Sequence, residues 1–533
     1  MRAPAVDGTP RARALTTGWL VVALVTLAVL VFVALLDSAV HAVVANSDSA
    51  TVALEGRALA HGNLTLSGWS LSLDSFWTID ALFYAAGVAV LGFVPALNHV
   101  VPAAIALGVV LVGAAIAAGG AARRGALVAA LCVTVFLTLP AHALAAFLLQ
   151  GPWHVATTLW CLVAFLALGR GRTRWRYPLA ALFLAGGLLG DLQTVGIGVA
   201  PVALSGLLAA ARTRRWRSAL GALGVAGCAV LGAVAVRALT SALGAFSFHE
   251  AHHTASLGQM TSDLGHLASW GLALLGVVRG PYDGPALPFP IEAAHLVVAL
   301  GIIVGLSASL LGSLRGALAG HADPEGRFRL DDLLVLGFLG DLALFEVLTL
   351  SKNPGYARYL TPAVIFAVLL AARRAAELAD RPAPPRPRRA ALAVVLACTI
   401  GLAAGLAIDL HQPVPRQPVD PVDAFLLAHH LTEGIGDYWA ASIVTLESRG
   451  AVTVRPVVAD PAGTIVRDGR QSDVGWYRGR AFQFLVYQRA PYGRVSIATV
   501  EHTFGRPAHL YALGKYYVVV WPHLLVLPPG QYP

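Results

Sequence analysis

The stretch NSDSATVALEGRALAHGN, residues 46–63, follows directly on the first long apolar run of the chain, residues 18–44. It presents two carboxylates and an arginine on an apparent helix, and SGWSLSLDSFWTID then adds two more carboxylates and two tryptophans. A simple connection between two membrane helices needs only a few polar residues. The segment up to about residue 78 is therefore predicted to form an ordered structure outside the membrane.

The composition of the whole chain indicates an integral membrane protein. Of its 533 residues, 57% are apolar and 13% are charged, and the mean hydropathy is +0.69. A soluble core of this size would need more polar surface. The first apolar run is too long for a signal peptide and lacks a small-residue cleavage pattern, so we expect it to remain as the first helix. The net charge is +9, but the arginines lie between apolar runs, so the charge does not indicate nucleic-acid binding.

Eleven apolar segments have lengths near that of a membrane span. They lie at residues 18–44, 97–120, 125–148, 153–169, 178–190, 194–211, 218–243, 291–313, 331–350, 359–372 and 390–408. Glycines and Asp191 interrupt the region 178–211, which favours two short helices over one long helix. If that pair is fused and one other span is lost, nine spans give the same parity.

The distribution of positive charge predicts the orientation. Six alternate segments contain 22 arginines, whereas the segments between them contain five arginines or lysines. Positive residues collect in short cytoplasmic loops. The N-terminus is thus expected inside, with residues 46–78, residues 244–290 and everything after residue 408 outside. Arginine outnumbers lysine 36 to 2, which is typical of a GC-rich bacterial genome and predicts a bacterial plasma membrane.

The last 125 residues change character. We divide the chain into a membrane domain, residues 1–408, a proline-rich linker, residues 409–422, and an extracytoplasmic α+β domain, residues 423–533. A short amphipathic helix is expected at residues 423–433. Five β-rich runs follow: ASIVTLES, AVTVRPVVA, AFQFLVYQ, VSIATVEH and KYYVVVWP. We expect this domain to position an acceptor and to do no chemistry. The four cysteines all lie in apolar runs, with no disulfide or metal pattern.

The order of these features resembles that of the C-type (GT-C) membrane glycosyltransferases. The resemblance lies in the acidic loop after the first helix, in surface-helix candidates at 80–95 and 264–278, in GDLQT at 190–194, in ARYLTP at 357–362 and in the terminal outside domain. It implies an all-α polytopic bundle of about eleven transmembrane helices with a small C-terminal extracytoplasmic α+β domain. It also implies transfer of a sugar from a polyprenyl-phosphate donor to a cell-envelope glycan, lipid or protein on the outer face.

Asp48 is the candidate catalytic residue. Transfer to a hydroxyl needs a base for its proton, and the departing phosphate needs a metal ion or an arginine. A carboxylate at the membrane surface could serve as that base or hold a divalent ion, Mg or Mn. Asp48 is followed by Ser49, where the family pattern has a second acidic residue. The alternative is that Asp48 caps the helix that begins there.

Three residues near the mouth of span ten are candidates for the donor phosphate: Lys352, Arg358 and Tyr359. The predicted outside loops are poor in positive charge, yet this one has two cations within seven residues. Arginine offers a bidentate fork to phosphate. The alternative is that these long side chains snorkel at a helix end.

Asp191 and Glu55 are candidate acceptor or metal contacts. A carboxylate between two apolar segments is costly unless it faces water, a partner or an ion, although Asp191 could also belong to a simple hairpin turn. Glu55 could equally be a solvated partner of Arg57 or Arg358. A further metal site is conceivable at His249, His252 and His253 with Glu250.

Two other classes of function compete with an enzyme. A transporter or lipid flippase is favoured by Asp37, Asp341 and Glu346, which lie within or near spans. The polar residues otherwise gather at one face and no internal repeat is visible, unlike many transporters. A non-catalytic scaffold for envelope assembly is the third class, since the terminal domain could simply bind a partner.

Overall fold

The membrane part of the chain is helical, as its composition predicts. The computed structural model describes residues 10–170, 174–214, 216–248, 254–280, 282, 284–318, 328–348, 353–382, 384–490 and 492–532. Fifteen α-helices in these residues precede the C-terminal domain: α1 (Pro10–Ala42), α2 (Ser47–Ala60), α3 (Asp80–Leu91), α4 (Leu97–Ala117), α5 (Arg123–Thr138), α6 (His142–Leu148), α7 (Val155–Arg170), α8 (Arg176–Gly190), α9 (Ala200–Thr213), α10 (Arg217–Ala242), α11 (Leu257–Leu274), α12 (Phe289–Leu318), α13 (Leu330–Val347), α14 (Thr361–Asp380) and α15 (Pro385–Leu410). Two short strands, β1 (Trp69–Leu71) and β2 (Ser247–Phe248), lie among them.

All eleven segments that the sequence predicts to be spans are helical. Within the described ranges, seven helices are long and apolar enough to cross a membrane, and an eighth span results if α5 and α6, which meet at 89°, form one broken span. Helices α7 and α8 are shorter, and α13 carries Asp331, Asp332, Asp341 and Glu346. The chain is therefore a multi-pass membrane protein with seven or eight clear spans.

The region 178–211 forms two short helices, as predicted. Helix α8 ends at Gly190, and a π-helical turn, Val195–Val199, leads into α9. Helix α13 packs against this turn backbone to backbone: a Cβ on Gly340 would lie 2.1 Å from the carbonyl oxygen of Gly196. The glycines therefore permit the contact that places Asp191 beside α13.

Helix α2, which contains the opening stretch, is buried on nearly all sides. The side chain of Asn46 caps it by accepting hydrogen bonds from the backbone N–H groups of Asp48 and Ser49. One face packs on α3, where a Cβ on Gly56 would lie 2.6 Å from the Cβ of Tyr84. The polar stretch thus forms a wedge between the bundle and the C-terminal domain, which explains why it is helical and ordered.

Ion pairs join α9, α13 and α14 at the ends of these helices that lie away from α2. Arg212 pairs with Asp332, and Arg373 and Arg374 both pair with Asp331. Paired and hydrogen-bonded charges avoid the cost of an isolated buried ion. These arginines belong to the segments predicted to face the cytoplasm, and α2 lies at the other end of the bundle.

The C-terminal domain is an α+β unit around one mixed sheet. Its elements are α16 (Asp420–Ala428), β3 (Glu433–Gly436), α17 (Tyr438–Glu447), β4 (Thr453–Ala459), β5 (Ile465–Asp468), β6 (Ser472–Asp473), β7 (Phe482–Gln488), α18 (Ile497–Phe504), β8 (His509–Leu513), β9 (Tyr516–Leu525) and β10 (Gln531–Tyr532). Seven strands form the sheet, in the order β10-β5-β4-β3-β7-β9-β8.

Two of the five predicted strands are helices. ASIVTLES lies in α17 and VSIATVEH in α18. The β-branched residues favour strands, but Asp437 caps α17 at its first turn and Ser496 with Thr499 forms a capping box at α18. Capping and tertiary packing override the intrinsic preference here. The runs in β4, β7 and β9 are strands, as predicted.

The domain docks on the loop that follows the first helix. Strand β1 pairs in parallel with β2 and antiparallel with β6, so loop and domain share a three-stranded sheet. The hydroxyl of Thr51 donates to that of Ser442 at 2.7 Å across the α2–α17 contact. The domain is thereby held directly over the start of α2.

Candidate active site

Asp48 lies half-buried in the first turn of α2, where bundle and C-terminal domain meet. Its Oδ1 accepts a hydrogen bond of 2.5 Å from the hydroxyl of Tyr438, the first residue of α17. The Tyr438 hydroxyl also lies 2.6 Å from Oε1 of Gln471. Asn46, rather than Asp48, is the helix cap. The carboxylate is therefore held through one oxygen, and within the described residues the second oxygen is left for another group.

Arg358 is the second charged residue of this candidate site. It lies in the 3-10 turn Pro354–Leu360 before α14, and it interacts electrostatically with Asp48. Its guanidinium carbon lies 5.2 Å from the ring centre of Trp153, 5.5 Å from that of Tyr356 and 5.3 Å from that of Tyr359. Its Nε is buried without a hydrogen-bond partner in the described part of the chain. The aromatic rings stabilise the charge and leave guanidinium donors for an anion.

Tyr359 connects this cation to Asp191. The Tyr359 ring stacks on that of His154, with 4.3 Å between ring centres. Nδ1 of His154 lies 2.7 Å from Oδ2 of Asp191, which also accepts the hydroxyl of Thr157 at 2.5 Å. The backbone N–H of Gln193 donates to the other oxygen at 2.8 Å. Asp191 is 1% exposed, so these bonds engage both of its oxygens.

Asp341, one of the residues on which the transporter alternative rests, is held by hydrogen bonds within the bundle. Its Oδ1 accepts from the Gln193 amide at 2.5 Å, and its Oδ2 accepts from the backbone N–H of Ala363 in the first turn of α14. The same Gln193 amide lies 3.2 Å from the carbonyl oxygen of Tyr359. A carboxylate at a helix N-terminus is favoured by the unpaired N–H groups there. Asp341 thus orients the turn that carries Arg358.

Glu55 corrects one interpretation from the sequence. It is fully buried and forms no ion pair with Arg57 or Arg358 in the described residues, so a solvated partner role is wrong. Burial, with a smaller contribution from Asp80, raises the pKa of Glu55 well above its ordinary value. The docked domain and α3 remove the solvent that this side chain would have in an isolated loop. Burial therefore favours the neutral form of this carboxyl.

The donor set around Asp48 does not fit a divalent ion. Among the residues that the structure describes, no group of three or more His, Cys, Asp or Glu side chains could hold a metal. The neighbours of Asp48 are a phenol, an amide and a guanidinium, whereas Mg²⁺ prefers several oxygen ligands, carboxylates among them. Lys352 and the residues 249–253, which include the histidine candidates, lie outside the described residues.

Two important residues were missed from the sequence. His154 precedes α7 with φ 69°, a left-handed conformation that is uncommon for residues other than glycine and occurs at functional sites. Tyr438 lies 390 residues after Asp48. For His154 the sequence offers a weak signal, since GPWHVATT places a histidine beside an apolar run. For Tyr438 it offers no signal, because a contact between residues so far apart in the chain leaves no local pattern.

Comparison with solved structures agrees with this architecture. The chain is similar to the crystal structure of ArnT from Cupriavidus metallidurans bound to undecaprenyl phosphate, with a TM-score of 0.53 and 15% identity over 94% of this chain and 98% of that chain. The likeness shows the fold: this chain has the C-type glycosyltransferase fold. The oligosaccharyltransferase of Archaeoglobus fulgidus, in complex with Zn and sulfate, aligns with a TM-score of 0.43 and 12% identity over 89% of this chain and 70% of that chain. Neither a known protein-family profile nor a curated protein matches the sequence.

Proposed function

From this fold and the arrangement around Asp48, we propose that the chain is a membrane glycosyltransferase. It moves a sugar from a polyprenyl-phosphate donor to a hydroxyl of a cell-envelope glycan, lipid or protein, on the outer face of a bacterial plasma membrane. The observation that carries the proposal is the juxtaposition of Asp48, a carboxylate that accepts a hydrogen bond through one oxygen, with Arg358, a cation that interacts with it electrostatically.

In the proposed step, Asp48 takes the proton of the acceptor hydroxyl. The freed oxygen forms a bond to the anomeric carbon, and the bond from that carbon to the phosphate oxygen breaks. The electron pair leaves with the polyprenyl phosphate. Tyr438 occupies Oδ1 of the carboxylate, so Oδ2 faces the acceptor. A base within hydrogen-bond reach of the proton is the first requirement of such catalysis.

Arg358 receives the departing phosphate in this scheme. Its guanidinium can give two parallel hydrogen bonds to phosphate oxygens, and the surrounding rings hold it in place. No metal ion is needed for the charge balance, because a guanidinium can stabilise the developing negative charge itself. Lys352, six residues earlier in the sequence and outside the described residues, would add a second cation.

The polyprenyl chain has a plausible location. A groove of about 800 Å³ runs between α8 and α10, and its lining is almost entirely apolar. Thr78 and Leu189 line one end of this groove, and Leu189 precedes Asp191 by two residues. A lipid chain in the groove would bring its phosphate end toward the polar layer of Asp191, Tyr359 and Arg358.

The decisive test is Asp48→Asn, assayed by transfer from a polyprenyl-phosphate sugar with purified protein. Asn46 caps α2 and is unaffected, so the variant should fold normally, losing at most about 1 kcal/mol of favourable helix-dipole interaction. Loss of the base should lower the transfer rate roughly 100-fold or more. Asp420→Asn, an exposed carboxylate in α16, is the matched control and should transfer like wild type. Equal rates for Asp48→Asn and wild type would remove Asp48 from the chemistry.

A further inference from the structure

A second cleft lies between α2 and the C-terminal domain. Its volume is about 330 Å³, within the range of small-ligand sites. The C-terminal half of α2 forms one wall with Arg57 and His61, and the domain forms the other with Arg455, Asp473 and Trp476. Trp69 of β1 lies between the two walls. The cleft exists only because the domain is docked on the first loop.

The cleft presents hydrogen-bond donors with few acceptors. The indole N–H of Trp69 has no hydrogen-bond partner in the described chain, although the side chain is only 3% exposed. In the part of the chain that the structure describes, neither Arg57 nor Arg455 forms an ion pair, and Glu433 pairs with Arg480 instead. Asp473 is the one carboxylate in the lining, and its Oδ1 accepts the backbone N–H of Gly475 at 2.7 Å. A lining in which donors outnumber carboxylates is complementary to a ligand rich in acceptor oxygens.

The positive charge of the half-buried Arg455 is stabilised only in part by nearby Tyr477, Glu433 and Asp473. Its guanidinium carbon lies 4.4 Å from the ring centre of Trp476, and burial lowers its pKa. The nearby Glu433 is paired instead with Arg480 at 3.5 Å. An anion bound beside Arg455 would offset the cost of its burial.

Aromatic side chains complete the cleft. Trp69 and Trp476 meet edge to face, with 4.9 Å between ring centres. Indole rings offer an apolar surface with a polar edge, which suits the C–H face and the hydroxyls of a sugar ring. Arg57, over the ring of Phe93 at 4.9 Å, closes the opposite side.

We propose that this cleft binds a sugar residue that carries an anionic group, carboxylate or phosphate, with the anion between Arg57 and Arg455 and the ring against the tryptophans. Arg57 follows Asp48 by nine residues in one helix, so the cleft lies about 14 Å along α2 from the candidate base. The anionic sugar would therefore be a part of the acceptor remote from the reacting hydroxyl. This acceptor role rests on the proposed function, whereas binding of the anionic sugar does not.

The experiment measures dissociation constants for glucose 6-phosphate, glucuronic acid, glucose and glycerol 3-phosphate by saturation-transfer NMR, with the full chain in zwitterionic nanodiscs. Both anionic sugars should bind at least tenfold more tightly than glucose and glycerol 3-phosphate. Glycerol 3-phosphate binding as tightly as glucose 6-phosphate would mean that the site recognises a phosphate, such as a lipid headgroup, and would overturn the sugar assignment.

Variants locate the binding. Arg455→Gln should weaken both anionic sugars about tenfold or more and leave glucose unchanged, and Trp69→Phe, which removes the N–H and keeps an aromatic ring, should weaken them severalfold. Arg478→Gln, an exposed arginine near the cleft that does not line it, should change nothing. Loss of binding in Arg358→Gln but not in Arg455→Gln would place the probe in the active site and overturn the proposal.

Binding in Asp48→Asn separates the two hypotheses. If the cleft is right and the proposed chemistry is wrong, Asp48→Asn and wild type will both bind anionic sugars, and wild type will transfer none. If the chemistry is right and the cleft is wrong, wild type will transfer, and Arg455→Gln will bind the probes as wild type does.

Discussion

Arg358 is a cation surrounded by aromatic rings, and its one carboxylate neighbour among the described residues is Asp48, with which it interacts electrostatically. Its arrangement with Trp153, Tyr356 and Tyr359 holds the guanidinium without neutralising it. Its buried Nε has no hydrogen-bond partner in the described part of the chain, and an anion that accepts from this group would remove the cost of leaving it unsatisfied. This is the physical reason for assigning the donor phosphate to Arg358 rather than treating it as a snorkelling side chain.

The assignment predicts a binding defect for Arg358→Gln. The variant should make the binding free energy for polyprenyl phosphate less favourable by about 1.5 to 3 kcal/mol, the range for a hydrogen bond to a charged group. Arg358→Lys should restore little, because lysine lacks the planar fork that stacks on the rings and binds phosphate bidentately. Arg279→Gln, an exposed outside arginine, is the control. Unchanged lipid binding in Arg358→Gln, measured by titration of the purified protein, would contradict the assignment.

Single residues differ in how far the sequence reveals their environment. Asp48 is conspicuous because it follows the first apolar run directly, and Arg358 because the predicted outside loops are poor in positive charge, so their interaction could be anticipated. Glu55 has the same local context as Asp48, yet it is buried, because α3 and the docked domain cover its face of α2. Burial by segments hundreds of residues away leaves no local pattern.

At the scale of elements, capping and docking decide what the local pattern does not. The helices of the bundle follow from apolar length alone, and all predicted segments are helical. In the C-terminal domain the β-branched residues of α17 suggest a strand, whereas Asp437 starts a helix by accepting the backbone N–H of Ala440 at 3.0 Å. That helix supplies Tyr438 to Asp48, so a capping residue determines part of the active site.

The contact between α16 and α17 predicts a pH dependence. Burial, with the neighbouring Glu447 and Asp420, raises the pKa of Asp423 to about 8, and burial with Asp420 raises the pKa of Glu447 to about 7. Both values exceed those of the unfolded chain, near 4, so the folded domain binds more protons between these pH values. Its unfolding free energy should therefore fall as the pH rises from about 4 to 8.

Asp423→Asn should remove much of that dependence. Asn resembles the protonated acid, so the variant should match wild type near pH 5 and be more stable at pH 8.5 by up to about 5 kcal/mol, since each unit of the shift from near 4 to about 8 corresponds to about 1.4 kcal/mol. Asp420→Asn, an exposed neighbour, should have a smaller effect. Pulse proteolysis of the C-terminal domain in urea, with the full chain in detergent, measures the difference. A variant with the same pH profile as wild type would show that the Asp423 carboxyl is already ionised at little cost.

At the scale of the whole molecule, the distribution of arginines predicts the orientation in the membrane. The contacts show that the first loop and the C-terminal domain lie at the same end of the bundle. Loop and domain meet through the β1–β6 pair, while the arginine–aspartate pairs of α9, α13 and α14 lie at the other end. Apolar length and arginine counts gave the bundle and its proposed polarity. The seating of the domain on α2 depends on contacts such as Thr51 with Ser442, which follow only from the folded chain.

Cysteine labelling on intact cells tests that orientation. Ser67→Cys in the first loop and Ala508→Cys in the domain are both exposed positions, and each should react with an impermeant thiol reagent. Ala122→Cys, exposed at the opposite end, should react only after lysis. Wild type gives the background of the four native cysteines, which lie in apolar helices. The reverse pattern would put the candidate site on the wrong side for an extracytoplasmic acceptor.

The groove between α8 and α10 can be tested as the site of the lipid chain. Two glycines of α10 allow a change in the groove to be compared with a similar change elsewhere on the same helix. A Cβ on either Gly224 or Gly227 would meet no atom within 4 Å, so a larger side chain fits at both positions. Only Gly224 lines the groove. Both substitutions to leucine should therefore leave the fold intact, while Gly224→Leu alone should reduce the apolar surface available to a lipid chain.

Gly224→Leu should raise the KM for an undecaprenyl-phosphate sugar roughly tenfold, which corresponds to the loss of about two buried methylene groups. It should leave the KM for a donor with a chain of two or three isoprene units unchanged if so short a chain does not reach the leucine. Gly227→Leu should behave like wild type with both donors. If Gly224→Leu and Gly227→Leu have equal KM values for the long donor, the chain lies in the surrounding bilayer rather than in the groove. A defect with the short donor as well would mean that the leucine disturbs the site near Leu189 instead of the lipid path.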